Sequence, residues 1–172
     1  MAKPLANGFP IGAVMVSQAV AEEIKIGDHG NHTASLVMLI VGTTFGGNPL
    51  ATRIAHHVFQ RLSSSEMLNQ ITSTSTLFQA RLTKLYESYP RLVTEIRGRG
   101  LILGIQLRSI GPKTSTETAN MVVRRAREKG LLLITAGEGT IRLVPPLNIP
   151  ENVATQGLDI LEQVMKEVHQ EI

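Results

Sequence analysis

An α/β chain is what the 172 residues predict, with a compact α+β unit over 90–172 placed behind the closing section of a larger domain over 1–89. Three observations lead there. The second half reads strand, strand, helix, strand, strand, helix, which is enough for a small unit of its own. The first half has helix patterns and glycine-rich loops but a single strand candidate. Between them stands Tyr89-Pro90, where proline stops a preceding helix.

Residues 1–12 crowd Lys3, Pro4, Asn7, Gly8, Pro10 and Gly12 together, a density of breakers that predicts a loop. The stretch 17–24 predicts a short helix with Ser17 as N-cap, and Gly27-Asp28-His29-Gly30-Asn31 a turn. The apolar run 36–41 suits a buried strand, being too short for an ordinary helix. A Gly/Thr loop over 42–47 ends at Asn48-Pro49, a capping residue followed by proline at the first helical position. The helix announced there carries Leu50, Ile54, Val58, Phe59 and Leu62 on one face until the serines at 63–65 break it.

A second helix is expected over 66–86, although the alternating Thr and Ser of 72–76 lower its propensity. Two strands follow over 92–96 and 101–107, joined by Arg97-Gly98-Arg99-Gly100. Thr114 and Glu117 match a capping box, opening a helix that runs to Lys129 and stops at Gly130. An apolar strand over 131–134, a Gly137-Glu138-Gly139 turn and a strand over 140–144 come next, halted by Pro145-Pro146. The last helix, 151–169, spaces Val153, Ile160, Leu161, Val164, Met165 and Val168 helically. No repeat of solenoid period is present.

Composition narrows the function. With 42% hydrophobic and 18% charged residues the chain can bury a core, so it is not a disordered tail. Its 17 Lys+Arg against 14 Asp+Glu leave +3, a small excess that gives nucleic acid no support. Aromatics at 3% and no Trp remove the stacking platforms of a single-strand binder. The absence of Cys excludes disulfides, thiolate metal sites and a cysteine nucleophile. The run 36–41 is too short to cross a bilayer, and no basic-then-apolar leader opens the chain, so no membrane partner is expected.

Several motifs invite chemistry, and each has a plain alternative. Gly98, Gly100 and Gly104 are spaced Gly-x-Gly-x-x-x-Gly with no helix after them, a poor nucleotide fingerprint. Asp28, His29 and His32 lack a third strong ligand and read as a solvated turn before a metal site, so no metal is expected. His56 and His57, adjacent on a helix, point about a quarter-turn apart and chelate poorly together. Lys3, among prolines, glycines and small residues, is either held as a Schiff-base lysine requires or an ordinary surface lysine. Thr43 and Thr44 offer hydroxyls in a loop leading to a helix N-terminus, which suits a phosphate or a plain capped turn. Arg142, on a short strand, presents a planar fork to a carboxylate or is merely an arginine on a strand.

Five segments taken in order go beyond spacing. They are 2–13 (AKPLANGFPIGA), 27–30 (GDHG), 43–51 (TTFGGNPLA), 96–104 (IRGRGLILG) and 141–148 (IRLVPPLN). Together they resemble the class III pyridoxal-phosphate aminotransferases of fold type I, over nearly the whole chain. The resemblance implies the C-terminal part of such an enzyme: the end of the large cofactor-binding domain over 1–89 and the small α+β domain over 90–172. It implies that Lys3 bonds pyridoxal 5'-phosphate and shuttles the proton of transamination. Thr44, helped by Thr43, would reach the cofactor phosphate of the neighbouring subunit in a homodimer, and Arg142 would grip a substrate carboxylate. The implied reaction exchanges an amino group between N-acetylornithine and 2-oxoglutarate in the mitochondrial matrix, with ornithine or 4-aminobutyrate as alternative donors. A non-catalytic truncated paralogue or dimerisation module is the rival from another class.

The chain departs from the family in two ways. The family has roughly half its sequence before the lysine, including the phosphate cup, the ring-stacking aromatic and the aspartate on the ring nitrogen. An isolated piece without them is expected to be inactive. Family members also run from the Gly-Asp-His-Gly loop almost directly into Thr-Thr-Phe, whereas residues 31–42 intervene here. The insert reads as translated intron or a gene-model error, its Gly-Asn entry being codon-compatible with a splice donor and its Val-Gly exit with an acceptor.

Overall fold

Proline has a fixed φ that suits the first turn of a helix, and the computed structural model of the chain has such a turn at Pro4. This is α1 (Lys3–Ala6), closed by Asn7 in the left-handed conformation at φ 47°, ψ 51°. The breaker-rich opening is therefore not all loop, as expected, because proline breaks a helix interior and not a helix start. The structure describes residues 1–23 and 45–171, in two units, Met1–Ser64 and Ser65–Ile172.

In the first unit, α2 (Gln18–Glu23) starts where expected, with Ser17 Oγ accepting from the N–H of Val20 at 3.4 Å. Asn48 Oδ1 accepts from the N–H groups of Leu50 (3.0 Å) and Ala51 (3.1 Å), and this cap opens α3 (Pro49–Leu62). Helix α1 packs against α3, and Ala6, Ala51 and Ala55 are the buried residues of the two. Side chains this small let the two backbones come close. The expected turn at 27–31 and strand at 36–41 lie outside the described residues.

The second unit begins with α4 (Ser65–Ser88). Its Thr-rich middle stays helical because the Thr72 and Thr76 hydroxyls donate to the carbonyls of Leu68 (2.8 Å) and Thr72 (3.0 Å). The buried face carries Thr74, Phe78, Leu82 and Leu85, and that burial overrides weak propensity. Because Phe78, Leu82 and Leu85 belong to the second core, the units divide at 64/65, upstream of the expected break at 89/90.

Strands β1 (Val93–Arg99) and β2 (Ile102–Leu107) form a hairpin whose turn is only Gly100-Leu101. Three residues of the expected four-residue connection are thus strand, since Arg97, Gly98 and Arg99 pair with Gly104, Leu103 and Ile102. Helix α5 (Ser115–Glu128) has the complete capping box at Thr114 and Glu117. It ends in a Schellman motif, Leu131 N–H donating to Ala126 O (2.8 Å) and Gly130 N–H to Arg127 O (3.0 Å). That motif occupies Leu131, so the strand expected over 131–134 shrinks to β3 (Ile134–Thr135). Strand β4 (Thr140–Leu143) and α6 (Glu151–His169) complete the chain as expected.

The sheet is antiparallel throughout, in the order β1-β2-β4-β3. A bulge between Val93 and Glu95 turns Val93 into the core and leaves Glu95 exposed. Leu103, Ile105, Leu107, Ile141 and Leu143 face the helices, where Val122 of α5 and Leu161 of α6 are fully buried. The opposite face carries Glu95, Arg97, Gly104, Gln106, Thr140 and Arg142, and no helix of the described residues is packed on it in this unit. Between α4 and α6, Arg81 pairs with Asp159 (2.6 Å) and Glu162 (2.9 Å) on the helical side.

Gly98 has φ +118°, and a Cβ there would run into the Ile102 carbonyl and lie 2.9 Å from Leu103 Cα. Gly98→Ala is expected to destabilise the second unit by at least ~2 kcal/mol. Gly100→Ala, also at positive φ but with open space around it, costs about half as much. Urea midpoints of the two variants check the order.

The Glu117 carboxylate is held below its ordinary value of 4.5, first by the Thr114 N–H (2.7 Å), then by the Thr114 hydroxyl (2.9 Å) and the Lys113 charge. A depressed carboxylate contributes stability above its unfolded value and loses it as the pH falls through the folded one. Unfolding followed from pH 6 to pH 3 should therefore weaken less steeply in Glu117→Gln than in the wild type.

Candidate active site

Lys3 opens the turn α1 and is exposed, and among the described residues Nζ has no hydrogen-bond or ion-pair partner. Its turn is anchored through the contact of α1 with α3 and through the N–H of Ala13, which donates to Met1 O at 2.8 Å. A lysine so placed has a fixed main chain and a free amine. Thr43 and Thr44 lie outside the described residues, upstream of the turn that leads through Asn48 into α3. His56 and His57 are exposed on α3, while Asp28, His29 and His32 lie outside the described residues. No group of three or more potential metal ligands converges among the described residues.

Arg142 belongs to the second unit, on the open face of β4. Its cross-strand neighbours are Gly104 of β2 and Ile134 of β3, neither of which offers a side-chain acceptor. The guanidinium is exposed and has no hydrogen-bond or ion-pair partner among the described residues. Such an arginine keeps all five donors for an anion, and its planar fork matches a carboxylate.

One strand further, Arg97 is the opposite case. Its guanidinium donates to Glu95 (3.0 Å), Gln106 Oε1 (3.2 Å) and Thr140 Oγ1 (2.8 Å). The Thr140 hydroxyl in turn donates to Gln106 Oε1 (2.6 Å), and Gln106 Nε2 donates to the carbonyl of Glu138 (2.8 Å). Sequence reasoning treated Arg97 only as part of a glycine motif. The signal was the polar alternation of Glu95-x-Arg97 and Thr140-x-Arg142, which marks one outward sheet face.

The carbonyl carbon of pyridoxal phosphate calls for a primary amine, and in the first unit Lys3 offers one without a partner among the described residues.

Comparison with known proteins places the chain in a family. The class-III aminotransferase profile matches residues 1–165. The mitochondrial acetylornithine aminotransferase of Yarrowia lipolytica is 45% identical over 167 residues, 97% of this chain and 36% of that protein. The acetylornithine aminotransferase structure from Elizabethkingia anophelis has a TM-score of 0.75 at 30% identity, covering 96% of this chain and 38% of that one. An ornithine aminotransferase from Toxoplasma gondii, whose structure reveals partial occupancy of PLP at its active site, has a TM-score of 0.76 at 28% identity. It covers 99% of this chain and 36% of that one. The chain thus spans little more than a third of the relatives it matches, and its fold is part of the fold type I architecture of those transferases. Match, motifs and architecture agree along nearly the whole length, so the chain belongs to the class-III aminotransferase family.

Proposed function

We propose that this chain is the C-terminal part of a pyridoxal-phosphate aminotransferase acting on N-acetylornithine and 2-oxoglutarate. The observation that carries the reading is Arg142, a guanidinium on an open sheet face without a partner among the described residues, in a chain whose first matching segment presents Lys3, likewise without a partner among them. The likeness to a mitochondrial acetylornithine aminotransferase supports the substrate and the mitochondrial matrix. In the complete protein, residues 1–89 belong to the large cofactor-binding domain and 90–172 to the small one, with α4 as the connecting helix.

In this reading Lys3 Nζ bonds the cofactor and carries the proton from the substrate carbon that bears the amino group. Bound pyridoxal phosphate supplies the electron sink for the charge left at that carbon. Arg142 holds a substrate carboxylate by two parallel hydrogen bonds and so fixes the orientation of the distal amino group. Thr44, with Thr43, donates hydroxyls to the cofactor phosphate across a homodimer. The products are glutamate and an acetylated semialdehyde, amino group and oxygen having changed places.

The test is titration of the chain with pyridoxal phosphate, borohydride reduction and peptide mapping. Saturable labelling on Lys3 that disappears in Lys3→Ala is the expected result. A folded chain labelled diffusely, with or without Lys3, would instead favour the non-catalytic module, which the self-contained core of the second unit makes credible.

Amino transfer by the complete protein, assayed with N-acetylornithine, ornithine and 4-aminobutyrate, separates the donors. Arg142→Lys should raise the KM for 2-oxoglutarate by about tenfold or more, because an ammonium cannot make the paired contact.

A further inference from the structure

Strand β4 carries Arg142, yet it is four residues long and its outer neighbour β3 has only two. Backbone pairing alone gives so short a strand little to hold its position. The open face supplies the rest. Gly104 sits between Arg97 and Arg142 in one cross-strand row, Arg97 opposite it on β1 and Arg142 opposite it on β4. A Cβ at Gly104 would lie 3.4 Å from Arg97 Cγ, 3.7 Å from Arg97 Nε and 3.3 Å from Thr140 Cγ2. The stem of Arg97 therefore crosses β2 over the bare backbone of Gly104, and its guanidinium reaches Thr140 on β4. Thr140 precedes Arg142 by two residues, so the two share a face of the same strand.

We infer that Arg97 is a positioning residue for Arg142, acting through Thr140. The clamp is tied at several points. Glu95 neutralises the guanidinium, Gln106 accepts from both Arg97 and Thr140, and Gln106 also ties down the Glu138 carbonyl in the turn that enters β4. Thr140 is 4% exposed, so its hydroxyl has these partners and little water to replace them. A strand fixed at Thr140 fixes the main chain of Arg142, and a fixed main chain lowers the ordering cost of gripping a carboxylate. Three of the five Arg97 N–H donors are committed to Glu95, Gln106 and Thr140, so its effect on the substrate is indirect. The inference rests on the reading of Arg142 as the carboxylate ligand and adds the group that holds it in place.

The experiment uses glutarate, an unreactive five-carbon dicarboxylate, titrated into the isotopically labelled chain while NMR follows the Arg142 backbone and guanidinium signals. In the wild type a saturable shift at Arg142 is expected, and it disappears in Arg142→Gln. Thr140→Val keeps the shape and removes the hydroxyl, and Arg97→Met keeps the stem and removes the guanidinium. Each should weaken glutarate by about threefold or more, while Leu103 and Ile105 signals keep their positions and show the core intact. Thr140→Ser restores the hydroxyl and should bind as the wild type does. Wild-type affinity in Thr140→Val and Arg97→Met overturns the clamp and leaves Arg142 as ligand. No response at Arg142 in the wild type, or one that survives Arg142→Gln, overturns the carboxylate reading and the clamp with it.

Discussion

One extra residue in the first strand decides what each face of the sheet displays. In a regular strand Val93 and Glu95 would point the same way, since side chains alternate with a period of two. The bulge between them sends Val93 into the core and Glu95 outward, and the rest of β1 inherits that parity. Ile96 then meets Ile105 on the helical side, and Arg97 stands opposite Gly104 on the open side. Without the bulge, either Val93 would leave the core or Glu95 and Arg97 would enter it. Burying those charges away from their partners costs several kcal/mol each, on the order of the net stability of a small domain.

The two faces are stabilised by different forces. Toward the helices, fully buried Leu82, Leu92, Leu103, Ile105, Leu161 and Met165 contribute about 1.5–3 kcal/mol each by removing apolar area from water. On the open face the Arg97–Glu95 pair is half exposed and contributes little by charge alone. What the network supplies there is order, because a buried Thr140 hydroxyl that loses a partner costs about 1–3 kcal/mol. Apolar burial holds the unit together, and the polar face fixes where its shortest strands lie.

Much of this was legible in the sequence where a local rule acts alone. Asn48-Pro49, the Thr114/Glu117 box and the helix Glu151–His169 are set by caps and periodicity, and they stand where those signals put them. The reading failed where a rule depends on context. Pro4 has the composition of a breaker yet sits in a first helical turn, and 131–134 has the composition of a strand yet Leu131 is engaged by the end of α5. The bulge at Val93 has no composition signal, so neither the outward placement of Arg97 nor its link to Thr140 could be read in advance. Lys3 and Arg142 are singled out as candidates only by the family resemblance of their flanking segments, since a lone lysine or arginine carries no local mark.

What separates the two arginines of the open face is their neighbours, not their exposure. Arg97 is surrounded by acceptors from three residues, Glu95, Gln106 and Thr140, and three of its donors are used inside the protein. Arg142 is flanked by Gly104 and Ile134, one without a side chain and the other without a polar atom in it. A guanidinium in that setting is solvated by water while free and gives up only water when an anion arrives. Had Gly104 been serine or Ile134 glutamine, an internal acceptor would have competed with the incoming carboxylate. The residues beside Arg142 thus keep it available by having nothing to offer it, and the same bare Gly104 that leaves Arg142 unpartnered is what lets Arg97 cross to Thr140.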